Sequence, residues 1–336
     1  MSSNSCAVPR AILRVALTCL GLASWAQAQT LKDPALEALY VAERSEELQH
    51  AAAQRLATRP DDAQAVLALT LASLQRDDAG ARAQALTHAR ACAEKPGPAQ
   101  ACLYAHGVLL GIQSMSEGLG KALRSAGAVR DALVAAHEAD PAWYPARSAL
   151  LEFYLAAPGL LGGSSTRAGE LARMAPQSAQ AAALKARIAL QEKRFEAALQ
   201  DLQGLPSGLE FALAADVRGW GTQAGLGLVN AGQAVKALPF FERLLREQPG
   251  QAHGPYGLAR VRGEQGDWAE ALRLYELCAG LKGASAWPLD YRIGIAQQRL
   301  GRTEAAKASL QRFVVAGKGQ KASLEDARKR LEQLGS

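Results

Sequence analysis

Apolar positions in the last third of the chain repeat with the period of an α-helix. Ala237, Phe241 and Leu244 are separated by steps of four and three residues, which keep one apolar face on a helix. The same steps recur in two further units, at Ala271, Tyr275 and Cys278 and at Ala306, Leu310 and Phe313. Few stretches show the alternation of Val, Ile and Thr expected of strands. The pattern therefore predicts an all-α chain of repeated helix pairs.

A glycine precedes the second helix of each predicted pair. Gly232, Gly266 and Gly301 are 34 and 35 residues apart, and glycine suits the left-handed turn that ends a helix. Seven residues before each glycine lies another small residue, at the point where two helices of a hairpin would cross: Gly225, Ala259 and Gly294. A fixed period of this length predicts stacked hairpins that share a continuous core.

This pattern resembles the tetratricopeptide repeat family, whose unit is a 34-residue helix hairpin with an alanine opening its second helix. The resemblance is strong over residues 218–317 and implies a right-handed α-solenoid of stacked antiparallel helix hairpins. It weakens toward the N-terminus, where helical stretches end at unevenly spaced prolines: Pro60, Pro96, Pro141 and Pro176. We expect a widened loop over Gly111–Gly120 and about five inserted residues between Leu202 and Gly208.

The first 28 residues have the layout of a secretory signal peptide. Arg10 and Arg14 both precede an apolar run. Small residues at positions 26 and 28 then surround a cleavage point. The apolar run, residues 15–25, is short for a bilayer span, and an uncleaved anchor is the alternative. Cleavage near Ala28/Gln29 predicts a periplasmic or secreted protein.

The strength of the repeat divides the rest of the chain into three parts. Residues 29–215 are predicted to form degenerate hairpins, residues 216–319 regular repeats, and residues 320–336 a C-terminal capping helix. No segment after residue 28 is apolar enough to predict an integral membrane span.

One irregular segment interrupts the hairpins around residues 154–167. Its run from Tyr154 to Pro158, followed by Gly162 and Gly163, resembles a stretch of exported bacterial tetratricopeptide proteins, and that resemblance implies no activity. Ser164 or Ser165 is expected to cap a helix that begins near residue 166. Anion binding at that helix N-terminus is the alternative.

Three cysteines follow the predicted cleavage point. Cys92 ends one helical stretch, Cys102 begins the next, and a Pro-Gly-Pro turn between them permits antiparallel helices. Because an exported protein meets an oxidising compartment, we expect a Cys92–Cys102 disulfide. Two buried thiols are the alternative, and Cys278 is expected to be an inert core residue.

Charge and motifs identify no reaction and no cofactor. The formal net charge is +6, and basic residues are interspersed with acidic ones, so nucleic-acid binding is unsupported. No histidine lies three or four residues from another, which leaves no zinc-binding pair on a helix. We therefore expect no metal, no cofactor and no enzymatic activity.

Binding of a protein or peptide is the function that the resemblance implies. First helices of the hairpins line the concave side in this family, and arginine and aromatic residues are enriched at binding hot spots. Candidate contact residues there are Tyr144, Arg147, Arg187, Arg218, Trp220, Tyr256, Arg260, Tyr291 and Arg299. The sequence thus indicates a periplasmic scaffold or adaptor, in envelope assembly or secretion. An enzyme or ligand-binding protein using residues 154–167, and a self-associating structural protein, are the alternatives.

Overall fold

The computed structural model describes residues 29–335, so the predicted signal peptide lies outside the described residues. Within that range the chain forms α-helices and no β-strand, which confirms the predicted all-α class. The helices are α1 (Pro34–Val41), α2 (Ser45–Thr58), α3 (Ala63–Gln75), α4 (Ala79–Ala93), α5 (Gln100–Ser116), α6 (Leu119–Ala139), α7 (Tyr144–Ala156), α8 (Ser165–Arg173), α9 (Ser178–Gln191), α10 (Phe195–Gln203), α11 (Phe211–Asn230), α12 (Leu238–Glu247), α13 (His253–Glu264), α14 (Trp268–Ala279), α15 (Leu289–Arg299), α16 (Thr303–Ala316) and α17 (Lys321–Gly335).

The helices pack as a solenoid of consecutive hairpins. α1 pairs with α2, α3 with α4, and so on to α15 with α16, which makes eight hairpins in the described range. First helices of adjacent hairpins also contact one another, as α9 does α11 and α11 does α13. Outside their own hairpins, second helices contact the first helix of the next hairpin. The first helices therefore lie on the inner side of the stack.

Small residues set how closely the paired helices approach. A Cβ at Gly225 would lie 2.6 Å from the Phe241 ring, and one at Gly294 would lie 2.7 Å from Leu310. These glycines lie at helix crossings, as the repeat predicts. Any larger side chain there would separate the two helices of the hairpin.

Left-handed turns join the helices of most hairpins, including degenerate ones. Gly232, Gly266 and Gly301 have φ values of 74°, 81° and 73°. Three residues that are not glycine occupy the same turn position with φ between 51° and 58°: Glu43, Asp77 and Lys193. The N-terminal hairpins therefore keep the geometry of the repeat after losing its glycine.

The widened loop predicted over Gly111–Gly120 is wrong. α5 continues to Ser116 and α6 begins at Leu119, and the extra residues lengthen these helices to 17 and 21 residues. Gly107 and Gly111 face α6, where a Cβ would lie 2.9 Å from Leu133 and 3.5 Å from Val129, respectively. The glycines thus serve close helix packing. The long hairpin exposes four large apolar side chains at its tip: Ile112, Met115, Leu119 and Leu123.

Two other predicted boundaries fall between helices or inside one, and the predicted capping segment is helical. The seven residues 204–210 separate α10 from α11, in the region where an insertion is predicted. The boundary predicted at 215/216 falls inside α11. α17 covers the segment predicted to cap the array, and its Ala327 is fully buried beside Phe313 and Leu310 of α16.

A disulfide joins Cys92 at the end of α4 to Cys102 in α5, as predicted, with their Cα atoms 5.6 Å apart. The turn between them brings the two helices side by side. Cys278 is buried and unbonded to another cysteine, and burial raises the pKa of its thiol to about 11. That thiol is therefore protonated at neutral pH, which fits the predicted inert core residue.

Candidate inner binding surface

The first hairpin reaches across the inner side of the solenoid to the sixth and seventh. The ring of Tyr40, in α1, meets that of Phe211, in α11, edge to face with centroids 4.8 Å apart. Beyond α1, the Glu43 carboxylate accepts a 3.1 Å hydrogen bond from the Gln251 side chain. It also forms a 2.9 Å ion pair with Lys282. The inner side is therefore enclosed by helices from both ends of the chain.

A hydrogen-bonded carboxylate joins two of the inner helices, α7 and α11. Oδ2 of Asp216, in α11, accepts hydrogen bonds from the Tyr144 hydroxyl and from the Ser148 hydroxyl, each 2.7 Å long. Both donors are on α7, so the contact skips the fifth hairpin. Burial raises the pKa of Asp216 to about 6, and the two hydrogen bonds oppose that rise.

Two more tyrosines lie within electrostatic range of Asp216, and a second carboxylate, Glu210, acts on the phenol of Tyr144. Tyr40 and Tyr104 are each 8% exposed. Burial is the main cause of the raised pKa of both phenols, and the charge of Asp216 adds to it. Burial, with the charge of Glu37, likewise raises the pKa of Glu210 to about 7. We call these side chains the inner cluster: Tyr40, Tyr104, Tyr144, Ser148, Glu210 and Asp216.

The cations nearest the inner cluster are engaged elsewhere. Arg187 makes two hydrogen bonds to Glu152, of 2.6 and 2.8 Å. Arg218 donates a 2.8 Å hydrogen bond to Gln248, and burial lowers its pKa. Asp216 and Glu210 have no ion-pair partner among residues 29–335. The enclosed surface is consequently acidic and lined by tyrosines.

Most of the predicted contact residues are buried within the solenoid. Tyr144 is 1% exposed and belongs to the inner cluster. Arg147 is buried and donates to the carbonyl oxygens of Leu171 and Pro141 at 2.8 and 2.6 Å. Its guanidinium therefore ties the loop before α7 to α8.

The remaining candidates also have internal partners. Tyr256 stacks on Trp287 with centroids 4.3 Å apart, and buried Arg260 donates a 2.7 Å hydrogen bond to Asn230. The Tyr291 hydroxyl donates to Asp326 of α17 at 2.8 Å. Trp220 is buried, whereas Arg299 is exposed with its guanidinium over the Trp268 ring. A role in binding stays a prediction for all nine residues, and for the buried ones the structure shows a packing role.

The irregular segment forms a tight, self-contained turn. The Ser164 backbone N–H donates to the Tyr154 carbonyl at 2.9 Å, and a Cβ at Gly163 would lie 1.7 Å from the Ala157 carbonyl oxygen. The Ser164 hydroxyl accepts a hydrogen bond from the Arg167 backbone N–H, which confirms the predicted cap. Leu160 is fully exposed at the tip, so it lines no pocket.

Residues 29–335 contain neither a metal-binding cluster nor a membrane-spanning helix. That part of the chain contains no group of three or more His, Cys, Asp or Glu side chains placed to hold a metal ion. None of its helices is both long and apolar enough to cross a membrane.

Sequence reasoning placed the inner surface on the first helices and included Tyr144, but missed the rest of the inner cluster. Asp216 and Ser148 lie on the predicted inner helices without a motif. Tyr40, Tyr104 and Glu210 come from segments where the repeat is weakest. The available signal was the acidic Asp216 in an otherwise apolar stretch of α11.

The architecture and this surface define an α-solenoid of helix hairpins with an acidic, tyrosine-lined inner side. No family model matches the chain, and no curated protein matches it. One similar solved structure is an assembly chaperone of RpL4 (Acl4), residues 1–338. It shares 17% sequence identity, with 82% of this chain and 97% of that chain covered and a TM-score of 0.33. Membership of the tetratricopeptide family thus stays a prediction.

Proposed function

We propose that this protein is an exported scaffold of the tetratricopeptide type, which holds a segment of a partner protein along the inner side of its solenoid. The enclosure of that side carries the proposal. Tyr40 and Glu43 meet Phe211, Gln251 and Lys282 across the stack. A segment held there would be contacted by several helices at once, which favours binding of an extended chain.

The expected export supports a periplasmic setting. Residues 1–28 have the composition of a signal peptide, and the Cys92–Cys102 disulfide suits an oxidising compartment. Fractionation of cells followed by N-terminal sequencing tests this part. A mature chain that begins at Gln29 and is found outside the cytoplasm is expected. A cytoplasmic chain that retains Met1 would overturn the export proposal.

Photo-crosslinking in cells tests the binding role. A benzophenone amino acid replaces Phe211, which lies on the inner side, or Val315, which is exposed on the second helix of the last hairpin. A discrete protein adduct is expected from position 211 and not from position 315. Adducts that are the same from both positions, or absent from both, would overturn the inner-side proposal.

Self-association is a second candidate because the α5/α6 tip exposes Ile112, Met115, Leu119 and Leu123. Light scattering on wild type and on a double variant, M115K/L119K, separates this role from the first. A monomeric wild type excludes it, whereas a dimer that the double variant abolishes supports it. For an enzyme built on residues 154–167, the closed turn and the exposed Leu160 offer no supporting observation.

A further inference from the structure

Two polar side chains converge on one carboxylate where the first hairpin meets the sixth and seventh. The Gln251 amide donates to both carboxylate oxygens of Glu43, at 3.1 and 3.3 Å. The Lys282 ammonium lies 2.9 Å from Oε2 of the same carboxylate. Neither donor has another side-chain partner in residues 29–335. Both side chains therefore serve this one carboxylate.

The backbone holds these two donors side by side. Gln251, just before α13, and Lys282, before α15, form an isolated parallel β-bridge. The Lys282 backbone N–H donates to the Gly250 carbonyl at 3.0 Å, and the Ala252 N–H donates to the Lys282 carbonyl at 2.9 Å. The bridge fixes the spacing of two consecutive turns of the stack. The donors are thus arranged in advance for a carboxylate, which lowers the cost of binding one.

The turn that supplies the carboxylate also supplies an aromatic ring. Half-buried Phe211, at the start of α11, meets the Tyr40 ring edge to face with centroids 4.8 Å apart. Glu43 lies three residues after Tyr40, and its backbone N–H donates to the Tyr40 carbonyl at 3.0 Å. One short turn therefore presents a ring and a carboxylate together. We call Phe211, Gln251 and Lys282 the receptor surface.

The α1 turn occupies the receptor surface through few contacts. α1 itself packs on α2 and α3. Across the stack, the turn is held by one ring contact, the Gln251 hydrogen bonds and the Lys282 ion pair. The Lys282 side chain is 60% exposed, and an ion pair that faces water is weak. The turn can consequently leave the receptor surface while α1 stays packed on its own neighbours.

We propose that the receptor surface binds a partner segment with an aromatic residue three positions before an acidic one, and that the α1 turn occupies this surface until the partner displaces it. The inference rests on the scaffold function, and it names the chemistry of the bound segment and the contact that controls its entry. The partner's ring packs on Phe211, and its carboxylate binds Gln251 and Lys282. It thereby replaces Tyr40 and Glu43.

Fluorescence anisotropy of the purified protein with a labelled peptide of residues 34–44 tests the proposal. Glu43→Gly removes the carboxylate and suits the left-handed turn, where Glu43 has a φ of 54°. Since the internal occupant is loosened, E43G should bind the peptide about fivefold more tightly than wild type. A control peptide with Tyr40→Ala and Glu43→Gln should bind neither protein. No binding to E43G, wild-type affinity in E43G, or equal affinity for both peptides overturns the proposal.

Charge reversal identifies the donor that binds the carboxylate. In the E43G protein, Lys282→Glu should weaken the peptide at least about tenfold, because two like charges would then face each other. A peptide with Glu43→Lys should bind this variant more tightly than the unmodified peptide does. Lys236→Glu is the matched control, because Lys236 pairs with Glu196 away from the receptor surface, and it should leave the affinity unchanged. Equal losses in both reversals would contradict the proposal.

A further variant covers the case in which E43G does not fold, as judged by circular dichroism. Glu43→Gln keeps the shape of the side chain, removes its charge and should also tighten peptide binding. Wild-type affinity in E43Q would overturn the proposal as well. Light scattering on the folded variant is expected to show a monomer. A dimer would mean that the α1 turn of a second copy fills the receptor surface, and would overturn the proposal of a partner segment.

Photo-crosslinking from position 211 separates this inference from the scaffold function. If the α1 turn competes with the partner, E43G should increase the yield of the adduct in cells, and an unchanged yield would contradict displacement. An adduct in cells without peptide binding in solution removes this inference and leaves the scaffold. Peptide binding without any adduct supports the receptor surface and overturns the scaffold role in cells.

Discussion

The Tyr144 hydroxyl donates a 2.7 Å hydrogen bond to Oδ2 of Asp216 and so joins the fourth hairpin to the sixth. Tyr144 is 1% exposed, and its partner lies 72 residues along the chain. The pair has a counterpart at the C-terminus, where Tyr291 donates to Asp326. Asp326 also accepts from Arg330 at 2.6 Å, whereas Asp216 has no cation. This difference makes the two pairs respond to pH in opposite directions.

Replacing Tyr144 by phenylalanine should destabilise the fold more at neutral than at acidic pH. A hydrogen bond to a charged group contributes about 1.5–3 kcal/mol, and Asp216 loses its charge below a pKa of about 6. Urea unfolding at both pH values measures the effect. Tyr256→Phe is the control, because Tyr256 is buried to a similar extent and its hydroxyl donates to no carboxylate of the described chain. The same loss at both pH values would contradict the assignment.

Asp216→Asn should gain stability relative to wild type as the pH rises from about 4 to about 6. The pKa of Asp216 is raised from 3.8 to about 6, so over this interval the folded protein binds a proton that the unfolded chain does not. Its contribution therefore falls with rising pH. The charge of Glu152 adds to the raised pKa of Asp216, and the charge of Arg187 opposes it. The phenols of Tyr40 and Tyr104 also interact with the charge of Asp216.

The difference in unfolding free energy between variant and wild type is the quantity to measure, because other groups titrate over an overlapping pH range. Burial lowers the pKa of His106, His137 and His253, which adds stability as the pH rises toward about 6.5. Asp326→Asn is the matched control. The Arg330 and Tyr291 hydrogen bonds help to lower the pKa of Asp326, so D326N should lose stability above about pH 4. If the stability of both variants relative to wild type changed with pH in the same direction, the proposed difference between Asp216 and Asp326 would be excluded.

Glu43→Ala should loosen α1 with little loss of global stability. An ion pair as exposed as Glu43–Lys282 contributes at most about 1 kcal/mol, but it is part of the contact that holds the first hairpin across the stack. Hydrogen exchange of the α1 amides is therefore expected to accelerate. Glu46→Ala removes an ion pair with Arg76 that links neighbouring helices, and should leave α1 exchange unchanged. Equal acceleration in both variants would argue against the closure.

Gly163→Ala should destabilise the protein by at least about 2 kcal/mol, because overpacking of this size forces the backbone to move. The added Cβ would lie 1.7 Å from the Ala157 carbonyl oxygen. Gly159→Ala, in the same turn, meets no atom within 4 Å and should change stability by less than about 0.5 kcal/mol. Thermal unfolding of the pair tests the closed turn, and similar melting temperatures would refute it.

Loss of the Cys92–Cys102 disulfide should lower stability by about 2.5–3 kcal/mol, the chain-entropy cost of a loop this short. The double serine variant and wild type are compared with and without dithiothreitol. Reductant should lower the wild-type melting temperature to that of the variant and leave the variant unaffected. Buried Cys278 remains in both proteins, so a reductant effect on the variant would point to another cause.

The repeat could be predicted where it keeps its local signals. Gly232, Gly266 and Gly301 take the left-handed conformation in the structure, and Ser164 caps α8. These features depend on neighbours in sequence. In the N-terminal half, Glu43 and Asp77 occupy the same turn conformation, and without a glycine these hairpin boundaries are hidden from the sequence pattern.

Glycines inside helices and the inner cluster could not be read from local sequence. Gly111 indicates a loop by composition, yet it lies in α5 because Val129 packs against it. Tyr40 and Phe211 are in contact although they are 171 residues apart in sequence. Neither residue can be assigned to a site until the curvature of the stack is known. Arg260 shows the opposite error. Its residue type is typical of binding surfaces, but the side chain is buried and hydrogen-bonded to Asn230.

The contact of Glu43 with Gln251 changes how this array folds. In an open solenoid each hairpin needs only its neighbours, so folding can start anywhere and the ends fray first. Here the first hairpin completes its contacts only with a partner 208 residues away, and such contacts slow folding because a long loop must close first. We expect the N-terminal end to be finished last, after the seventh hairpin has formed, and to melt with the whole chain.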